Sequence, residues 1–135
     1  MGYFSETTNG NDGVWISGTL TASDTAGAVF NWQNNQDVSV IVDAIYIDIT
    51  TVATDSSCEL NIGYTATSAA TSSDTMIDGV AVHTNTGVYN HIVNAGTNGK
   101  GAVKVAKGKW ITASKSAGAT AGLVGVYYIH YRKVR

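Results

Sequence analysis

The stretch VSVIVDAIYIDITT, residues 38–51, decides the fold. Val38, Val40 and Val42 share one parity and Ile45, Ile47 and Ile49 the other, so the apolar side of this β-strand changes near Asp43 and Ala44. Successive strand side chains point to opposite faces, and a change of parity therefore requires an extra residue, a bulge or a sharp bend. A bend of that kind lets one strand serve two packed sheets, its first half facing inward from one layer and its second half from the next. The stretch predicts an all-β sandwich or flattened barrel with this strand at its centre. Asp43 and Asp48 have opposite parity and read as gatekeeper charges interrupting an aggregation-prone strand.

Outward from this stretch the signals stay those of β structure. On the N-terminal side, residues 13–20 alternate Val14, Ile16, Gly18 and Leu20 against Trp15, Ser17 and Thr19, a half-buried strand. A turn over 21–27, a short strand over 28–32 and the polar turn of Asn34, Asn35 and Asp37 lead into the central strand. On the C-terminal side, residues 58–65 form a strand with Leu60, Ile62 and Tyr64 on one side, and 66–73 form a loop of small residues. Ser73 ahead of Met76 and Ile77 predicts a single helical turn. Residues 79–83 and 87–94 carry apolar pairs but leave strand and irregular structure open. Residues 102–105 and 109–114 are strands joined by the tight turn Ala106-Lys107-Gly108, with a loop at 115–120. A long final strand over 122–134 is apolar on both faces, which suits an interior position. The total is about eight strands, the count of a jelly roll. The expected organisation is a single-domain antiparallel β-sandwich, jelly-roll-like, over 13–135, preceded by a polar arm, 1–12, whose Tyr3 and Phe4 can dock.

Composition narrows the function classes. At 135 residues the chain can bury a core without staples, and its single cysteine, Cys58, excludes an intrachain disulfide. Proline is absent, so turns rest on Gly, Asn, Asp and Ser. The apolar runs are too short to span a membrane as a helix, and the N-terminus lacks the basic and apolar regions of a signal peptide. All 10 acidic residues lie at or before Asp78 and all 8 basic residues at or after Lys100. Either strands from the two halves interleave and the charges mix, or an acidic face of one copy meets a basic face of another copy or of a lattice. Nucleic acid is a poor partner for scattered lysines on an acidic chain.

Chemistry finds little to hold. His83, His91 and His130 stand in no HxH or HExxH spacing, and no G-x-S-x-G elbow is present, so neither catalytic residues nor a metal or cofactor site is expected. Asn9, Asn11 and Asp12, or Asn34, Asn35 and Asp37, offer loop oxygens for calcium without a known ligand spacing. Trp15, Trp32 and Trp110 with the 7 tyrosines could stack on sugars, although aromatics on strand parities more often fill a core or a subunit interface.

Two blocks carry a family resemblance and together cover a little under half of the chain. AVFNWQNNQDVSVIVDAIYIDITTVAT (28–54) and NGKGAVKVAKGKWITASKSAGATAGLVGVYYIHY (98–131) resemble small virion proteins of tailed bacteriophages, in which a strand ending in a D-I-T-T-like signature precedes a loop of small residues. The second block also resembles the closing strands of jelly rolls in complement-type globular heads and in viral capsid and head-fibre proteins, where a Lys-Gly turn joins two strands. The resemblance implies a non-enzymatic capsid decoration or cement protein, often trimeric, made in the host cytoplasm and carried on the virion. Its partner would be the major capsid protein or another virion protein; the alternative is a receptor- or glycan-binding module of a tail or fibre, meeting a host surface glycan. Docking is expected through the basic C-terminal half or the arm. The interface candidates are Tyr3, Phe4, Lys104, Lys107, Lys109, Trp110, Tyr128, Arg132, Lys133 and Arg135.

Overall fold

The computed structural model describes residues 13–22, 28–68 and 73–134. The expected arm with Tyr3, Phe4 and the cluster Asn9, Asn11 and Asp12, most of the 21–27 turn, and Arg135 fall outside the described residues. Among the described residues nine strands follow in order: β1 (Val14–Thr19), β2 (Ala28–Gln33), β3 (Val40–Thr51), β4 (Glu59–Thr65), β5 (Ile77–Ala81), β6 (Gly87–Asn90), β7 (Val103–Val105), β8 (Trp110–Ala117) and β9 (Val124–Lys133). Every pairing is antiparallel.

The strands form two sheets, one ordered β1-β9-β3-β6 with β7 also on β3, the other ordered β2-β8-β4-β5. β6 pairs with residues 46–49 of β3 and β7 with residues 40–42, so both run end to end along one edge of β3 as a single strand interrupted by residues 91–102. Counted so, the first strand pairs with the last, the second with the next to last, and so inward to the fourth and fifth. That nested pairing is the jelly roll, with its eight strands.

β3 resolves the parity change differently from the sequence expectation. Val42 is opposite Tyr131 and Ala44 is opposite His130, which makes Asp43 an extra residue on β3. The bulge returns the apolar set to the same side: Val40, Val42, Ile45, Ile47 and Ile49 are all buried. β3 therefore serves one sheet along its whole length, because β9 follows it past the bulge and keeps both halves facing one core. The same shift puts Asp43 and Asp48 on one side, the outer one.

Three further expectations change. Residues 73–76 form no helical turn; Met76 N–H donates to Ile62 O, and the apolar pair Met76-Ile77 enters the core at the start of β5. β9 is buried on one face only, through Ile129 and Tyr131, whereas Val124 and Tyr128 are exposed on the other. β8 also runs on to Ala117, into the segment expected as a loop.

The core lies between the sheets and is built mainly of β-branched residues, including Ile45, Ile47 and Ile129 from one layer and Ile62, Ile77 and Ile111, beside Leu60, from the other. Each such buried side chain contributes about 1.5–3 kcal/mol of apolar transfer. Phe30 stacks on Tyr127 across the layers, ring centroids 4.0 Å apart and 13° from parallel. Gly18 makes room for that tyrosine, since a Cβ there would stand 2.7 Å from its ring.

Candidate interaction face

Opposite residues of an antiparallel pair lie on the same face, so the register lays out the outer side of the five-stranded sheet row by row. One row runs Val88, Asp48, Val126, Thr19; the next Asn90, Tyr46, Tyr128, Ser17. Ala44, His130 and Trp15 form the third, beside the bulged Asp43, and Lys104, Ile41 and Arg132 the fourth. Trp15 is 56% exposed, Val88 62% and Tyr128 40%.

The middle of this face is ordered by contacts among its own side chains. Asp43 pairs through one carboxylate oxygen with His130 Nδ1 and through the other with Arg132 Nε at 3.2 Å. Trp15 leans on His130 with centroids 4.8 Å apart and on Tyr46 at 5.8 Å. Behind Tyr46, the buried His91 holds Nδ1 3.2 Å from the Ile45 N and 3.4 Å from the Ile45 O, which fixes its ring against the backbone of β3. Aliphatic groups continue past the edge at β6. Asn90 Oδ1 accepts the N–H groups of Ile92 and Val93, each at 2.9 Å, while Asn94 Oδ1 accepts Asn90 N–H. The turn so closed holds Ile92 and Val93 out in water.

The other outer face is treated differently. Gly63, on the outer side of β4, lies directly under residues 73–75, and a Cβ there would meet Thr75 Oγ1 at 2.4 Å. Thr112 and Ser114, which alternate with the inward Ile111 and Ala113, are buried on that side.

The described interface candidates divide between places. Lys104, Tyr128 and Arg132 lie on the open face. Lys107 and Lys109 belong to the turn before β8, where Gly108 takes φ +78°, and Lys133 stands 3.9 Å from Asp37. Asn34 ties this end together: Gly108 N–H donates to its carbonyl, its own N–H donates to Lys109 O, and its Nδ2 donates to Val38 O and Val105 O, each at 3.0 Å. Lys104, Lys107, Lys109, Arg132 and Lys133 thus gather at the end where β3 begins, and Asp37 and Asp43 of the acidic half lie among them, paired with Lys133 and Arg132, so the charges of the two halves mix here while the lysines outnumber the carboxylates. Trp110 alternates with Ile111 and turns to the opposite outer side. The interface candidates drawn from the sequence do not include Trp15, Tyr46, Asp43 and His130, although the alternation of β1 already set Trp15, there a candidate for stacking on sugars, among the solvent-side residues Ser17 and Thr19.

Among the described residues no group of three or more His, Cys, Asp or Glu could hold a metal ion. The loop oxygens of Asn34 are spent on the turn, its Oδ1 on Gln36 N–H. A surface concavity of about 410 Å³ between β1 and β2 presents Thr19, Thr21, Asn31 and Tyr127 among its described lining residues, and no carboxylate, imidazole or thiol. Burial pushes the Cys58 thiol up, which makes it a poor nucleophile at neutral pH.

No protein-family model matches the chain, and a comparison with curated proteins finds no match. Among solved structures, the chain is similar to one in the acidic stable capsid structure of Helicobacter pylori bacteriophage KHP30. The TM-score is 0.56 at 9% identity, over 89% of this chain and 86% of that one. At that identity the likeness is one of fold, and the near-equal coverage makes the two chains close in length.

Proposed function

We propose that this chain is an auxiliary virion protein of a tailed bacteriophage, a decoration or cement protein that attaches to the outer capsid surface. The observation that carries the reading is the open face of the five-stranded sheet, where Val126, Tyr46, Tyr128 and Trp15 adjoin, with Val88 on the far side of Asp48 and Lys104 and Arg132 at the margin. Aromatic side chains toward the centre of a patch, with charge at its margin, are the composition of a docking surface. The likeness in fold and length to a chain of a phage capsid structure supports the same reading. On a shell the copies stand about the local axes the shell provides, a three-fold axis in the trimer the resemblance implies.

The test is reconstitution. Purified protein added to particles stripped of it, or assembled from the shell protein of the phage that encodes it, should co-sediment with them. Val88→Lys with Tyr128→Lys should weaken that binding at least about tenfold while the fold is retained. Protein that never co-sediments overturns the reading. Trp15 favours a second one, because an indole more than half exposed is a platform for a sugar ring. Quenching of its fluorescence by host surface polysaccharide, abolished in Trp15→Ala, would select a glycan-binding module instead.

A further inference from the structure

Among the described residues the two sheets have four edges, and these are not alike. β2 is bulged between Ala28 and Phe30 and carries Asn31 and Gln33. β5 is five residues long, holds Asp78 and turns at Gly79, whose φ is +75°. The β6 and β7 edge is broken into pieces of four and three residues. Short strands, bulges and charges are the means by which a sheet blunts an edge against pairing with another chain. β1 has none of them: VWISGT is uncharged, six residues long and in unbroken register with β9.

The direction of its free groups follows from the ladder. Leu20 N–H donates to Gly125 O at the end of the β1 and β9 pair. Because an antiparallel strand directs alternate residues to alternate sides, Val14, Ile16 and Gly18 bond β9, and the N–H and C=O groups of Trp15, Ser17 and Thr19 point away from it. Side chains at the edge are also left open. Val14 belongs to the inner side of the sheet, opposite Tyr131, yet is 45% exposed.

We infer that β1 is where a second copy of this chain adds, β1 against β1, antiparallel about a two-fold axis. The strand is complementary to itself. A register that sets Ile16 opposite its symmetry mate, or one that sets Ser17 opposite its mate, keeps inner residues with inner and outer with outer. Either register covers Val14 or Trp15 with the partner strand and joins the two five-stranded sheets. No charge is brought against a like charge, and an isologous contact of this kind closes at two copies. This contact is independent of attachment to a particle and uses the edge, not the open face.

Light scattering after size exclusion, over a range of protein concentrations, should show a monomer and dimer in equilibrium. In the dimer the amides of Trp15, Ser17 and Thr19 should exchange more slowly than in the monomer. Ser17→Pro removes one of the outward N–H groups without touching the bonds to β9, and Ser17→Lys brings ammonium groups to the edge. Each should raise the dimer dissociation constant at least about tenfold, with far-ultraviolet circular dichroism unchanged in at least one of them. A chain that stays monomeric overturns the inference, including the case where these amides are protected in the monomer because residues 1–12 fill the edge. A dimer or trimer that persists in both variants overturns it as well.

Discussion

Asn34 shows how one side chain decides where a charged end sits. It is fully buried, and truncating it strands two carbonyls, Val38 and Val105, together with the Gln36 N–H. Unpartnered buried groups cost more than the bonds themselves contribute, so Asn34→Ala should lose about 2–4 kcal/mol in urea denaturation. Asp55 makes a second residue-level prediction, this one in pH. Its carboxylate accepts Ser57 Oγ–H at 2.7 Å, Ser57 N–H at 2.8 Å and Ala119 N–H at 2.9 Å, and these bonds hold its pKa below the ordinary 3.8. A carboxyl lowered in the folded state stabilises above its unfolded pKa, and that share is lost as pH falls through the lower folded value. The stability difference between wild type and Asp55→Asn should therefore be constant above about pH 5 and shrink toward acid. Neither role was legible in the sequence. Asn and Asp in a polar turn read alike whether they cap backbone, bind calcium or face water, and only the partner strands distinguish these cases.

At the scale of the element, the bulge in β3 is the point where sequence and structure meet most closely. The parity change at Asp43 and Ala44 announces an extra residue, and the structure has one there. Parity alone cannot say whether the partner strand follows the bend, and that is why β3 keeps to one sheet against expectation. The interrupted edge of β6 and β7 was unreadable for another reason. Residues 91–102 are held by side chain to backbone bonds, such as Asp78 Oδ2 to the N–H groups of Thr97 and Asn98, and such bonds leave no periodicity. A deletion separates the bulge from the charge it carries. Asp43→Ala removes a half-exposed ion pair and should cost about 1 kcal/mol or less in thermal or urea unfolding. Deleting residue 43 removes the extra residue and leaves Val40, Val42, Ile45, Ile47 and Ile49 on one parity of a regular strand in the same register with β9, whereas deleting residues 43 and 44 together slips Val40 and Val42 to the outer face. The single deletion should therefore keep a cooperative urea transition, while in the double deletion the loss of two buried valines, about 3–6 kcal/mol, approaches the whole stability of a small domain, and that variant should fail to give one.

At the scale of the whole molecule, the fold has two unequal outer surfaces: one lies partly under its own residues 73–75, and the other is left to solvent with its aromatics arranged. The lysines that gather at one end stand at the margin of the open face, not at its centre, and margin charge and central apolar area act on different steps of association. Charge at a rim steers encounter and is screened by salt, with a Debye length of about 8 Å at physiological ionic strength. Packed apolar groups at the centre determine how long a complex lasts. Charge reversal at Lys104, Lys107 and Lys109 should therefore slow association with the particle and flatten its dependence on salt, with the dissociation rate nearly unchanged. Val88→Lys with Tyr128→Lys should do the reverse, raising the dissociation rate about tenfold or more. Surface plasmon resonance on immobilised particles at low and physiological salt reads both rates in one experiment. Should the lysine reversals speed dissociation as strongly as the central pair does, the basic end would itself be the buried centre of the interface, and the open face only its border.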